Sequence, residues 1–232
     1  MPISIEISNL SKSFGMLEAV SRLSLNTYPS QLIALLGPNG AGKSTLMNMI
    51  TGYLNPSSGE IKILGKPLSN LSKKDIGFLP EGAPLYGDMS VKSFLKYITE
   101  LKSQPLSEVV RVMALSNISQ VSDQKIETLS KGYKRRVGFA AALIGNPPIL
   151  LLDEPTDGLD PNQKEHILNL IKDMSKDKTI LISTHLLDEA EAVANRILIM
   201  DKGTIKADGD LDAVLKKTKT TSLENAFIKL TR

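Results

Sequence analysis

The 232-residue chain contains no cysteine. That excludes a disulfide framework, a thiolate metal site and a cysteine nucleophile, and it is compatible with a reducing compartment. Long apolar runs are also missing. The longest candidates, residues 149–152 with their flanks and residues 137–144, fall far short of the roughly 18 apolar residues that a membrane-crossing helix needs. The first ten residues carry Glu6 and no basic head, so they do not read as a secretory signal. Neither sign of charge dominates, since 28 Lys and Arg face 25 Asp and Glu. The basic residues are scattered, which gives no argument for a nucleic-acid partner. With 41% hydrophobic and 23% charged residues, disorder, collagen-like repeats and coiled-coil arrays are excluded. A soluble intracellular chain is expected, long enough for one large domain or one domain carrying an insertion.

Apolar residues alternate with polar ones at Ile3, Ile5 and Ile7, the period of a half-buried strand. Leu23 and Leu25 continue the alternation. Residues 31–36 form a continuous apolar run that ends in glycine, as a central strand does. Short apolar runs follow at 61–64, 76–79, 149–152, 179–183 and 196–200. Most are separated by helix-length segments, which argues for a parallel α/β sheet covered on both faces, with an antiparallel edge from the N-terminal strands. From residue 86 to 147 no strand-like run occurs, and apolar residues recur at helical spacing in Val91, Phe94, Leu95 and Ile98 and again in Val109, Val112 and Met113. A helical insertion is expected there. The tail from 213 to 232 carries Lys216, Lys217 and Lys219 and reads as a solvated surface segment.

Gly37-Pro38-Asn39-Gly40-Ala41-Gly42-Lys43-Ser44-Thr45 stands directly after the run 31–36. It fits the phosphate-loop spacing of glycine, four residues, glycine, lysine, serine or threonine. The glycines let successive N–H groups converge on one concavity, which the next helix's N-terminus completes. Lys43 would bridge the β- and γ-phosphates, and the Ser44 hydroxyl would hold Mg²⁺. Residues 149–152 lead into Asp153 and Glu154, at the carboxyl end of a strand, where ligands of open α/β sheets sit. Asp153 suits a Mg²⁺ shell, and Glu154 suits a general base acting on water. A strand-end turn would also explain an Asp-Glu pair on its own. Leu129-Ser130-Lys131-Gly132-Tyr133 opens an apolar helix with Ser130 as its N-cap. A plain capped helix explains this segment too. A second anion-binding helix start, lacking the lysine and metal residues of the first, makes sense if it completes another molecule's nucleotide.

In order and spacing these motifs resemble the ATP-binding subunit of an ABC transporter over essentially the whole chain. The phosphate loop is similar to its Walker A, 149–154 to its Walker B, 129–133 to its signature and 156–160 to its D-loop. His185, after the run 179–183, falls where the family has its switch histidine. The resemblance implies a P-loop NTPase core with an antiparallel β-subdomain over 1–85 and 148–212, a helical subdomain over 86–147, and a tail over 213–232. It implies that Phe14 stacks on adenine, that His185 contacts the γ-phosphate, and that Ser130, Gly132 and Asp160 act across a dimer interface. An Asp-Pro helix start explains Asp160 equally well. The implied activity is ATP hydrolysis with Mg²⁺, by a head-to-tail dimer of this chain with itself or a paralogue. A separate transmembrane permease would be coupled to it, the chain lying on the cytoplasmic side of the membrane.

Two motifs depart from the family pattern. Lys131 and Tyr133 replace the usual glycine and glutamine of the signature, and Lys131 is expected to add positive charge near the opposite γ-phosphate. Pro80-Glu81 follows the run 76–79 where the family has a glutamine. Glu81 can still bind Mg²⁺ or its water but cannot donate an amide hydrogen bond. Both departures, with the tail segment 222–227, resemble subunits that pair with separately encoded permeases, many of them exporters. Two further readings compete. A soluble ATPase of the same family could remodel a non-membrane complex, or a small-metabolite kinase could use the same loop. The kinase leaves Ser130, Asp160 and His185 without a role.

Overall fold

In the computed structural model, which describes residues 2–70, 72 and 74–232, the chain folds into two sheets flanked by helices. Met1 of the N-terminal segment, Leu71 and Lys73 lie outside the described residues. In chain order the elements begin with β1 (Ile5–Phe14), β2 (Leu17–Thr27), β3 (Leu32–Leu36), α1 (Lys43–Ile50), β4 (Ser58–Ile63), β5 (Lys66–Pro67) and β6 (Ile76–Leu79). Three helices follow, α2 (Val91–Leu101), α3 (Ser107–Leu115) and α4 (Lys131–Leu143). The remainder is β7 (Ile149–Asp153), α5 (Pro161–Met174), β8 (Thr179–Ser183), α6 (Leu187–Val193), β9 (Arg196–Asp201), β10 (Thr204–Gly209), α7 (Leu211–Thr218) and α8 (Leu223–Leu230).

The larger sheet has the order β10-β9-β3-β8-β7-β6, parallel except for the β9–β10 hairpin at one edge. Its central strands β3, β7 and β8 are buried at every position. Alternate side chains feed two cores. Leu32, Ala34, Leu36, Leu150 and Leu152 pack on the face covered by α4, α5 and α6, while Ile33, Leu35, Ile149 and Leu151 pack with α1 and the smaller sheet. Burial of each such aliphatic side chain contributes about 1.5–3 kcal/mol, so this sheet is a rigid base for the loops at its carboxyl edge.

The expected antiparallel edge is present but comes from elsewhere. It is supplied by β10, whereas the N-terminal strands form a separate antiparallel sheet of order β2-β1-β4-β5, the β-subdomain that the family resemblance implies. Period-2 alternation specifies that one face of a strand is buried, not which sheet it joins. The strand expected at 61–64 runs from Ser58 to Ile63 because Leu64 turns into the left-handed region at φ 52°. Between residues 80 and 148 the structure is helical apart from an isolated bridge, with Val91, Phe94, Leu95, Val109, Val112 and Met113 buried as their spacing requires. The tail is not the solvated segment expected of it. Val214, Leu223 and Ala226 are buried in the main core, and the lysines lie along the outer side of α7 and α8.

Candidate functional site

The loop from β3 to α1 is shaped by two glycines, Gly37 and Gly42, that leave no room for a side chain. A Cβ on Gly37 would lie 2.3 Å from the Met200 carbonyl oxygen, and one on Gly42 would lie 2.3 Å from that of Ala19, with Gly42 already at φ 103°. Helix α1 starts without a side-chain cap, whereas α2, α4, α5, α7 and α8 are capped by Ser90, Ser130, Asp160, Asp210 and Ser222. Its first-turn N–H groups are therefore left for an external acceptor, the arrangement that binds phosphate oxygens. Lys43 Nζ donates to the carbonyls of Gly37 at 2.6 Å and Pro38 at 3.2 Å. Burial lowers its pKa, against the pull of Glu154, Asp153 and Glu81.

At the end of β7, parallel pairing sets Asp153 beside Ser183 of β8. Glu154 then leaves the sheet at φ 50°, a conformation that costs a non-glycine residue on the order of 1–3 kcal/mol. Three hydrogen bonds hold it there. Its N–H donates to Ser183 O at 2.8 Å, and its carbonyl accepts from Asp157 N at 3.1 Å and Arg135 Nε at 2.9 Å. Its Oε1 lies 2.9 Å from His185 Nδ1. Burial raises the Glu154 pKa, and the His185 hydrogen bond opposes that rise. A half-buried carboxylate of weakened acidity, steadied by an imidazole, can accept a proton from water.

One cavity of about 850 Å³ gathers Phe14, the whole loop 37–45, Glu81, Asp153, Glu154 and His185. Thus Phe14, Gly37, Pro38, Asn39, Gly40, Ala41, Gly42, Lys43, Ser44, Thr45 and the three acidic residues meet as the sequence motifs require. Ser130, Gly132 and Asp160 do not join them. Ser130 Oγ accepts from Tyr133 N at 3.3 Å, and Asp160 Oδ1 accepts from Gln163 N at 3.0 Å, each capping its own helix on an exposed face. Lys131 departs from the charge expected of it. Its ammonium lies 3.0 and 2.9 Å from the two carboxylate oxygens of Asp157 in the same chain, so its charge is already met. Sequence reasoning missed Phe227 and Leu17, which line the cavity, because their approach depends on how α8 and the β1–β2 hairpin dock. It also missed Arg135, buried and donating through Nη1 to Pro80 O at 2.8 Å as well as to Glu154 O.

The donors suit a magnesium nucleotide. Among the described residues no three His, Cys, Asp or Glu side chains form a ready cation cage. The hydroxyl of Ser44 and the carboxylates of Asp153 and Glu81 are hard oxygen ligands around the phosphate loop. Such a partial set fits Mg²⁺, which keeps waters and shares phosphate oxygens.

A mostly parallel sheet with a phosphate loop and an acidic strand end at one cavity defines a P-loop nucleotide-binding protein. The profile of the ABC transporter family matches residues 20–157, and the chain belongs to that family. It is 34% identical to the uncharacterized ABC transporter ATP-binding protein YxlF of Bacillus subtilis (strain 168), over 97% of this chain and 77% of that protein. It is 33% identical to the Nod factor export ATP-binding protein I of Rhizobium sp. (strain N33), over 93% and 73%. Some relatives are much longer, and the chain spans 25% of ABC transporter A family member 1 of Dictyostelium discoideum. Among solved structures, an ATP-binding subunit of an ABC transporter superposes with TM-score 0.91 at 27% identity, covering 99% of this chain and all of that one. A dimeric post-hydrolysis state of the ATP-binding cassette MJ0796 bound to ADP and Pi superposes with TM-score 0.83 at 25% identity, over 89% and 98%. The chain is accordingly an ATP-binding ABC ATPase of the kind that powers transport.

Proposed function

We propose that the chain hydrolyses ATP as one half of a head-to-tail dimer and drives export through a separate membrane permease. The observation that carries this reading is the division of the motifs. Loop 37–45, Asp153, Glu154 and His185 share one cavity, while Ser130 and Asp160 stand exposed outside it. A second copy, facing the first, would bring its own Ser130 and Gly132 to the γ-phosphate and its Asp160 to the seam. The core would comprise 1–85 and 148–212, the signature-bearing helical part 86–147, and the tail 213–232.

In this reading the loop N–H groups and Lys43 hold the β- and γ-phosphates, and Ser44, Asp153 and Glu81 hold Mg²⁺, which neutralises phosphate charge when bound. Phe14, which lines the cavity and is 49% exposed, offers its ring to adenine. Glu154 accepts the proton of the attacking water, and His185 orients Glu154 and meets the γ-phosphate. The work is positioning and charge stabilisation.

A groove of about 580 Å³ lies between residues 80–85 and α2, walled by Phe78, Phe94, Ile98 and exposed Tyr53. Glu81 lines both this groove and the phosphate cavity. That shared residue supports the groove as the permease dock, since a segment seated there would feel the state of the phosphates. No described helix is long and apolar enough to cross a membrane, so this reading keeps the chain on the cytoplasmic side, peripheral through the permease. The test is phosphate release from Mg·ATP by the purified chain, with co-purification from membranes. Release together with an integral membrane companion supports the reading. A purely soluble companion favours complex remodelling instead, and phosphate appearing on a small acceptor favours a kinase.

A further inference from the structure

Glu189 is a buried acid that the hydrolytic reading leaves unused. It stands in the first turn of α6 with its side chain 3% exposed. Its two oxygens differ, since only Oε2 accepts a hydrogen bond and Oε1 is met by charge alone. Oε2 accepts from the Thr156 hydroxyl at 2.7 Å, and Oε1 lies 2.7 Å from Lys164 Nζ. Thr156 is itself buried and lies two residues beyond Glu154, and Lys164 is in the first turns of α5. One carboxylate therefore ties three segments: the loop that leaves β7 with Glu154, the helix that follows that loop, and the helix that follows His185.

His185 needs such a tie. Its side chain is 64% exposed, and its one hydrogen bond is to Glu154. An exposed ring held by that bond takes its position from where the 184–186 turn is anchored. On one side that anchor is β8. On the other it is α6, a helix of only seven residues. The pair is costly to break on the Glu189 side, because a carboxylate 3% exposed would lose its counter-ion, whereas Lys164 is 32% exposed and can meet water. It is therefore a stiff fastening between the two strand-end loops.

We infer that Glu189 is a positioning residue for the Glu154–His185 pair, acting through Thr156 and Lys164 to hold the two loops at hydrogen-bonding distance. This rests on the hydrolytic reading proposed above. It predicts a loss in turnover rather than in nucleotide affinity, since none of the three residues lines the phosphate cavity. Displacing a reacting group by about 1 Å can cost on the order of a hundredfold in rate.

The test is steady-state hydrolysis of Mg·ATP by the wild type, Glu189→Ala, Glu189→Gln, Thr156→Val and His185→Ala, and by the double variant His185→Ala/Glu189→Ala. Glu189→Ala is expected to lower kcat at least about tenfold with KM for ATP within about twofold. Glu189→Gln, which still accepts from Thr156, should recover much of that loss. In the His185→Ala background the same change should cost less than about twofold, because the pair it positions is already gone. An unchanged kcat, or an equal loss in both backgrounds, overturns the inference. So does a loss that appears only as a raised KM. Should Glu189→Ala not fold, Thr156→Val, in both backgrounds, decides by the same criteria. The His185 ring ¹⁵N signals of the nucleotide-free protein give a second readout. They should move in Thr156→Val toward those of Glu154→Ala, and static signals overturn the inference. If the wild type does not hydrolyse ATP, the proposed function fails, while the ring signals still show whether Glu189 positions His185.

Discussion

Lys102, on the last turn of α2, faces the groove and pays for being there. Its ammonium donates to Ile144 O at 3.0 Å, and burial lowers its pKa from 10.5 to about 8, against the opposing pull of Glu108. A depression of that size corresponds to about 3 kcal/mol. The folded state disfavours the charged form, so between pH 8 and 10.5 the unfolded chain holds a proton that the folded chain has released. Stability from this site therefore rises with pH across that window, and the full penalty is present below pH 8. Lys102→Met removes the titration but strands the Ile144 carbonyl, a cost of about 1–3 kcal/mol that does not vary with pH. Urea unfolding of both proteins at pH 7, 8, 9 and 10 separates the terms, because every other titrating group is common to the pair. The stability of Lys102→Met relative to wild type is expected to decline by about 2–3 kcal/mol from pH 7 to pH 10. A difference that stays level within about 0.5 kcal/mol would mean that Lys102 titrates as an ordinary surface lysine, and the desolvation argument would be wrong.

Three other outcomes follow from the site. Glu154→Gln keeps the size of the side chain and the strained backbone but removes the proton acceptor. Turnover should fall by at least about a hundredfold with ATP affinity retained, and gel filtration with Mg·ATP should show a trapped dimer. Gly42→Ala places a methyl group against the Ala19 carbonyl and should abolish nucleotide binding in calorimetry while the chain remains folded; wild-type affinity would remove the loop from the site. Lys131→Gly breaks an exposed pair with Asp157, whose side chains are 71% and 44% exposed. It should change stability by less than about 1 kcal/mol, and a larger loss on thermal unfolding would show that the pair is coupled to the core.

What the sequence made legible was whatever depends on short range. Strands β6 and β8 fall on the expected residues, because a short apolar run bounded by turn residues admits few alternatives. Ser130 and Asp160 cap helices as their positions foretell, and the phosphate loop falls directly between β3 and α1 as its spacing requires. The misses share a different cause. The N-terminal strands carry a clear period, but sheet membership is decided by partners such as Ile61 and Ile63, which lie too far along the chain for periodicity to assign. The lysines of the tail suggested solvent, yet one stripe, Val214, Leu223 and Ala226, was enough to dock both helices and bring Phe227 to the cavity.

The charged residues show the same limit with more consequence. Arg135, Lys131 and Glu189 look alike in sequence, each a charge near the start of a helix. Their surroundings make them unlike. Lys131 is solvated and satisfied by Asp157, so little depends on it. Arg135 is buried, its guanidinium held at a lowered pKa by desolvation against Asp153, Asp157, Glu154 and Glu81. It spends two nitrogens on the carbonyls of Pro80 and Glu154. Those bonds run from α4, the helix that opens with Ser130, to the backbone of the acid expected to activate water and to the residue before Glu81. Any rotation of α4 relative to the sheet must therefore either carry Glu154 and the 80–81 turn with it or break the charge-assisted hydrogen bonds of a buried guanidinium. The strained Glu154 backbone is then not an isolated cost. It is sustained by an arginine of α4, which joins the acid proposed to activate water to the helix that opens with Ser130.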